Sequence, residues 1–179
     1  NKMKEKAMAL ILPGLGYHSD KPLLYYAKKR FQKRGYKIRE IVYRNLPEWS
    51  EDNLDILADI VTDQAEEQLR QIDAESYEGI VFISKSIGSV AACRMIEEWN
   101  KKWEHICFTP VNLTVPLLQP ENTMVFSGTA DPLINTAELK KVCKHREIPL
   151  YLIEDGNHSL ETGDVLQDLR QLRRIMGIL

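Results

Sequence analysis

Short apolar runs alternate along the chain with longer stretches in which apolar residues recur every three or four positions. The runs fall at 7–12 (Ala-Met-Ala-Leu-Ile-Leu), 38–43, 79–84, 105–108, 123–127 and 149–153. Their length and lack of strict alternation predict buried strands, with 38–43 alternating more and so nearer an edge. Between the first two runs, Leu23, Leu24, Ala27 and Phe31 share one helical face. Asp20 is placed to cap that helix, Pro22 lies in its first turn and Gly35 stops it. Ser50 is expected to cap a longer helix carrying Leu54, Leu57, Ile60, Val61, Ala65, Leu69 and Ile72 at that spacing; Asp55, Asp59, Asp63, Glu66, Glu67 and Arg70 form its solvated face. Further helices are predicted from 87 through Trp99, over 135–146 and over 161–175. Strands alternating with helices predict a three-layer α/β/α sandwich on a mainly parallel sheet of about six strands, in one domain spanning 1–179.

Composition narrows the function classes. With 24 Lys and Arg against 26 Asp and Glu, a formal charge of −2 gives no general attraction to nucleic acid or to an anionic membrane, and neither is expected as a partner. Cys93, Cys107 and Cys143 are odd in number and have no C-x-x-C arrangement, which reads as reduced thiols in an intracellular protein. Residues 1–6 are polar, and the apolar run after them breaks at Pro13-Gly14, too early for a signal-peptide core or a membrane span. A cytosolic location is expected. The four histidines are dispersed and make no metal site, and no cofactor motif is present.

In a parallel sheet the loops at the carboxyl ends of the strands converge on one edge. Three of those loops carry chemistry. Ser86 follows the strand 79–84 and precedes a helix whose first turns, Ile87-Gly88-Ser89-Val90-Ala91-Ala92, are small enough to pack closely on the sheet. Serine and glycine are ordinary turn residues, so Ser86 in isolation reads as a turn. A serine nucleophile needs a base, and the base needs an orienting group. His158 follows the last strand with Gly156 before it, and Asp131 follows the strand 123–127. An aspartate accepting from one imidazole nitrogen fixes the tautomer and stabilises the imidazolium formed when the serine proton is taken. Asp155 competes for that role, although a charge at a strand end is usually solvated. Two backbone donors would serve a developing oxyanion: the amide of Ile87 at a helix start, and that of Leu15, or alternatively Gly16, in the Gly-rich loop after the first strand.

Taken in order, Pro13-Gly14-Leu15-Gly16, Ser84-Lys85-Ser86-Ile87-Gly88, Gly128-Thr129-Ala130-Asp131 and Gly156-Asn157-His158-Ser159 resemble the oxyanion loop, nucleophile elbow, acid loop and histidine loop of the α/β-hydrolase superfamily, in particular its small serine esterase and dienelactone-hydrolase-like branches. The resemblance spans most of the chain. It implies a minimal α/β-hydrolase fold, lacking the antiparallel first strands of larger relatives, and a serine hydrolase acting on a carboxylic ester or thioester of a small acyl substrate. Two positions depart from the pattern: Ser84 stands where the elbow has its first glycine, and Pro13 where the oxyanion loop often has histidine, which removes a loop-bracing group. Lid domains of relatives are inserted in the region corresponding to 109–122, which here is short, contains Pro110, Pro116 and Pro120, and is expected to form only a loop. The resulting open cleft is expected to be floored by Leu15, Tyr17, Val111, Leu117 and Leu133, with His18 beside it.

Other residues read more plainly. Lys85 is expected to point away from Ser86 or brace a loop, His105 and His145 to be structural or exposed, Trp99 and Trp103 to pack at helical spacing, and Cys93 to be a buried small hydrophobe. A non-catalytic ligand-binding or signalling protein that keeps the fold is the alternative, since fold does not fix function. A scaffold using the acidic helix 51–72 is a third.

Overall fold

A computed structural model describes residues 7–179; the polar start at 1–6 lies outside the described residues. The elements follow the order β1 (Ala7–Leu12), α1 (Pro22–Lys33), β2 (Lys37–Glu40), α2 (Leu54–Gln71), β3 (Gly79–Lys85), α3 (Gly88–Glu98), β4 (Lys102–Phe108), β5 (Thr123–Gly128), α4 (Thr136–His145), β6 (Leu150–Ile153) and α5 (Val165–Ile178). The six strands form one sheet in the order β2-β1-β3-β4-β5-β6, and every pairing is parallel. The chain runs from β1 outward to β2 and returns to β3 on the other flank of β1. The carboxyl ends of β1 and β3 therefore flank a topological switch point, where a crevice opens in such sheets.

Period-two alternation sorts the core into two layers. On one face Ala9, Ile11, Val81, Ile83, Phe108 and Phe126 pack against Leu23, Leu24, Ala27 and Phe31 of α1 and Ile175 and Met176 of α5. On the other, Met8, Leu10, Leu12, Ile80 and Phe82 meet Leu57, Val61 and Ala65 of α2 and Val90, Ala91 and Met95 of α3. Further along that face Cys107 and Val125 pack on Leu139 and Cys143 of α4. All three cysteines are free and buried. No helix among the described residues is long and apolar enough to cross a membrane.

Several local expectations are corrected. Asp20 does not cap α1: Lys21 occupies that position without a side-chain bond, Pro22 stands at the helix start, and Asp20 pairs with Lys28 at 3.2 Å. Strand β2 stops at Glu40 rather than at residue 43. Beyond it, the backbone groups of Val42 are taken by the Gln68 side chain (3.0 and 2.8 Å) and those of Arg44 by Gln64 (2.9 and 2.8 Å), so amides from α2 replace a strand ladder. Ser50 does cap, but one turn early: it is the N-cap of a single 3₁₀ turn (Glu51–Asn53) that leads into α2, its N–H donating to Asn53 Oδ1 at 2.8 Å, while Asn53 holds the cap position of α2 itself. The last helix starts at Val165, not near 161, because the Asp164 carboxylate accepts from the N–H groups of Leu166 and Gln167. Trp103 lies on β4 rather than on a helix. Segment 109–122 is a loop except for one 3₁₀ turn, Val115–Leu117.

Candidate active site

The buried strand β3 ends at Lys85, and the chain must reverse into α3 within three residues. Ser86 absorbs the reversal with φ 55°, in the left-handed region that non-glycine residues rarely occupy, while its N–H donates to the Phe108 carbonyl at 3.0 Å. Close approach of α3 to β1 demands Gly88, since a Cβ there would lie 2.3 Å from the Leu12 carbonyl oxygen and 2.6 Å from that of Pro13. Across the crevice a Cβ on Gly14 would sit 3.2 Å from the Cβ of Ser86. Ser84, at the position where the elbow pattern has glycine, is fully buried, with its hydroxyl 2.7 Å from His105 Nε2 on β4. Burial without a compensating charge pulls His105 down to about 3, so it is a neutral core residue. His145 is exposed.

The loops after β5 and β6 are laced together. Ala130 N–H donates to Gly156 O at 3.0 Å and Thr129 N–H to Ile153 O at 3.0 Å. They approach so closely that a Cβ on Gly128 would lie 2.1 Å from Gly156 O. This lacing sets Asp131 beside His158. The Asp131 side chain is wholly buried; Oδ2 lies 2.7 Å from His158 Nδ1, and Oδ1 accepts from Leu133 N–H at 2.9 Å. His158 Nε2 lies 2.7 Å from Ser86 Oγ. A carboxylate accepts only, so Nδ1 carries the imidazole proton and Nε2 is left to accept from the Ser86 hydroxyl. Asp155, the rival acid, is exposed, and its N–H is held by Thr129 Oγ1 at 2.8 Å. An alcohol, an imidazole and a buried carboxylate in hydrogen-bonded series can pass a proton from oxygen to nitrogen while the carboxylate steadies the resulting cation.

Beside this series lies a cavity of about 500 Å³. Leu15, Ile87, Val111 and Leu133 line it together with Ser86 and His158. No hydrogen bond among the described residues engages the N–H of Leu15 or of Ile87, and both residues line the cavity. The loop bearing Leu15 closes on itself through Gly14 and Tyr17 (3.3 and 3.4 Å), and the Tyr43 hydroxyl braces it by donating to Pro13 O at 2.8 Å, a support not foreseen from Pro13.

Three residues expected at the cleft are absent from its lining. Tyr17 is buried beneath, with its hydroxyl accepting from Leu23 N–H at 3.0 Å. His18 is exposed and accepts from Asp20 N–H at 3.2 Å, and Leu117 packs against the core. In their place Trp49, Glu51, Leu54, Asn112 and Pro132 form walls. The first three precede or open α2, on the segment that follows β2. Since β2 is parallel to its neighbours, that segment emerges on the same sheet edge as the other loops, a signal available from strand order.

No protein-family model matches the sequence, and no curated protein is similar enough to match it. Solved structures do resemble it. A serine hydrolase homologue from Coxiella burnetii aligns with TM-score 0.70 over 98% of this chain and 86% of its own, at 12% identity. A serine hydrolase without lid from Xanthomonas campestris gives 0.67 over 96% and 78% at 16% identity. An esterase from Pyrococcus furiosus gives 0.65 over 96% and 81% at 13% identity. At these identities the likeness establishes the architecture: this chain has the α/β-hydrolase fold.

Proposed function

We propose that the protein is a serine hydrolase that cleaves a carboxylic ester or thioester of a small substrate through an acyl-enzyme. The observation that carries this reading is the unbroken series from Ser86 Oγ through the His158 ring to Asp131, each step 2.7 Å, beside two unengaged amides. Ser86 Oγ attacks the acyl carbon while its proton moves to His158 Nε2, and the carbonyl oxygen becomes an oxyanion facing the amides of Leu15 and Ile87. Collapse of the tetrahedral adduct breaks the bond to the leaving oxygen or sulfur, which takes the proton from Nε2. Water then enters, gives a proton to the same nitrogen and attacks the acyl-enzyme; breakdown frees the acid and returns the proton to Ser86. Asp131 holds the Nδ1–H tautomer throughout.

The cavity is walled mostly by apolar side chains and has no helical lid over residues 109–122, which favours a small or end-on acyl group. The neighbours named esterase and serine hydrolase support the reaction class. The test is covalent labelling with a fluorophosphonate, alongside turnover of short-chain nitrophenyl esters and thioesters. Labelling is expected in the parent protein and lost in Ser86→Ala together with turnover. A Ser86→Ala variant labelled and active like its parent would remove the proposal.

A further inference from the structure

Lys85, the residue before Ser86, is 1% exposed, and burial pulls its ammonium down to about 7. A lysine so enclosed needs a partner to offset its lost hydration. No carboxylate among the described residues forms an ion pair with it. Instead Nζ donates to the main-chain carbonyl of His158 at 2.7 Å and sits 4.6 Å from the centre of the Tyr17 ring. Tyr17 in turn closes the turn with Gly14 that carries the Leu15 amide. The elbow, the oxyanion-side turn and the histidine loop thus meet at one side chain.

We propose that Lys85 is a positioning residue, which ties the His158 backbone to the elbow strand and the Tyr17 turn and thereby sets the imidazole against Ser86. The role rests on the hydrolase reading above. The loop between β6 and α5 has no strand or helix of its own at His158. Asn157 Oδ1 organises its next turn by accepting from Ser159 and Glu161 N–H at 2.8 and 3.1 Å, leaving the His158 carbonyl to Lys85. On the ring side Asp131 fixes Nδ1, so Lys85 and Asp131 hold the residue at opposite ends, main chain and side chain. Both the ammonium and the neutral amine present an N–H, so the tie does not depend on the charge of Lys85. Displacing a catalytic group by even an ångström costs up to roughly a hundredfold in rate.

The experiment compares Lys85→Met, which keeps reach but loses the donor, with Lys85→Gln, which keeps an uncharged donor. Ester turnover, thermal unfolding and the downfield proton resonance of His158 Nδ1–H are read for each. For Lys85→Met, kcat is expected to fall roughly 10- to 100-fold with KM changed by less than about threefold, while a cooperative unfolding transition is retained and the downfield resonance broadens or disappears. Lys85→Gln is expected to recover part of both the rate and the resonance, and Lys85→Leu, which also lacks the donor, decides the matter by the same readouts if Lys85→Met does not fold. Parental kcat and resonance in a folded variant that lacks the donor would overturn the proposal. So would a rate loss with the resonance intact. Should the parent protein itself neither label nor turn over, the hydrolase reading falls, and the resonance comparison still decides whether Lys85 places His158.

Discussion

His105 offers a test of the interior in solution. It lies on β4 with Nε2 against Ser84 Oγ at 2.7 Å, and its Nδ1 is buried without a partner, so nothing nearby compensates a charge on the ring. Burial lowers its titration from the ordinary 6.5 to about 3. Above pH 6.5 the ring is neutral in both the folded and unfolded chain, and its titration leaves stability unchanged. Between pH 6.5 and about 3 the unfolded chain takes up a proton that the folded chain refuses, so stability falls as the solution is acidified; below about 3 both forms are protonated and the loss stops growing. One proton is worth at most about 1.4 kcal/mol per pH unit, and the unfolded ring is only partly protonated near 6.5, so acidification from 7 to 4.5 should cost about 2–3 kcal/mol through this residue. That is a large share of the stability of an ordinary domain. His105→Gln removes the titration and keeps a side chain able to bond Ser84, with a packing penalty that does not depend on pH. Urea unfolding followed by tryptophan fluorescence at pH 7 and pH 4.5 measures the two proteins, and carboxylates common to both cancel in the difference. The stability of the parent minus that of the variant should fall by about 2–3 kcal/mol over this range. A difference constant to within about 0.5 kcal/mol would refute the buried neutral imidazole.

Other outcomes follow from particular contacts. Gly88→Ala would drive a Cβ to 2.3 Å from the Leu12 carbonyl oxygen, backbone against backbone, so a loss of about 2–3 kcal/mol is expected in urea unfolding. Asp131→Asn should leave the fold intact but lower kcat roughly 10³- to 10⁴-fold, because an amide no longer enforces the Nδ1–H tautomer of His158; near-parental turnover would count against the carboxylate's part in the reaction. Gln68→Ala removes both bonds to the Val42 backbone, at 3.0 and 2.8 Å, and should lower stability by about 1–2 kcal/mol, read as a shift in the urea midpoint.

The amino-acid sequence by itself determined most of the scaffold. Strand β1 falls at Ala7–Leu12 and β3 within one residue of the expected end, because fully buried parallel strands are written as unbroken apolar runs. The face of α1 that carries Leu23, Leu24, Ala27 and Phe31 is buried as its spacing requires. The convergence of Ser86, Asp131 and His158 was also legible, since a parallel sheet delivers every strand's carboxyl end to one edge whatever lies between them. What only the tertiary structure decided are contacts between a side chain and a distant backbone or face, which leave no period in the sequence. The capture of Val42 and Arg44 by Gln68 and Gln64, the wall made by Trp49, Glu51 and Leu54, and the burial of Lys85 under the His158 carbonyl and over Tyr17 are of this kind. A strand or helix repeats because its own hydrogen bonds repeat, whereas these contacts each form once, where two loops already placed by the sheet happen to face one another.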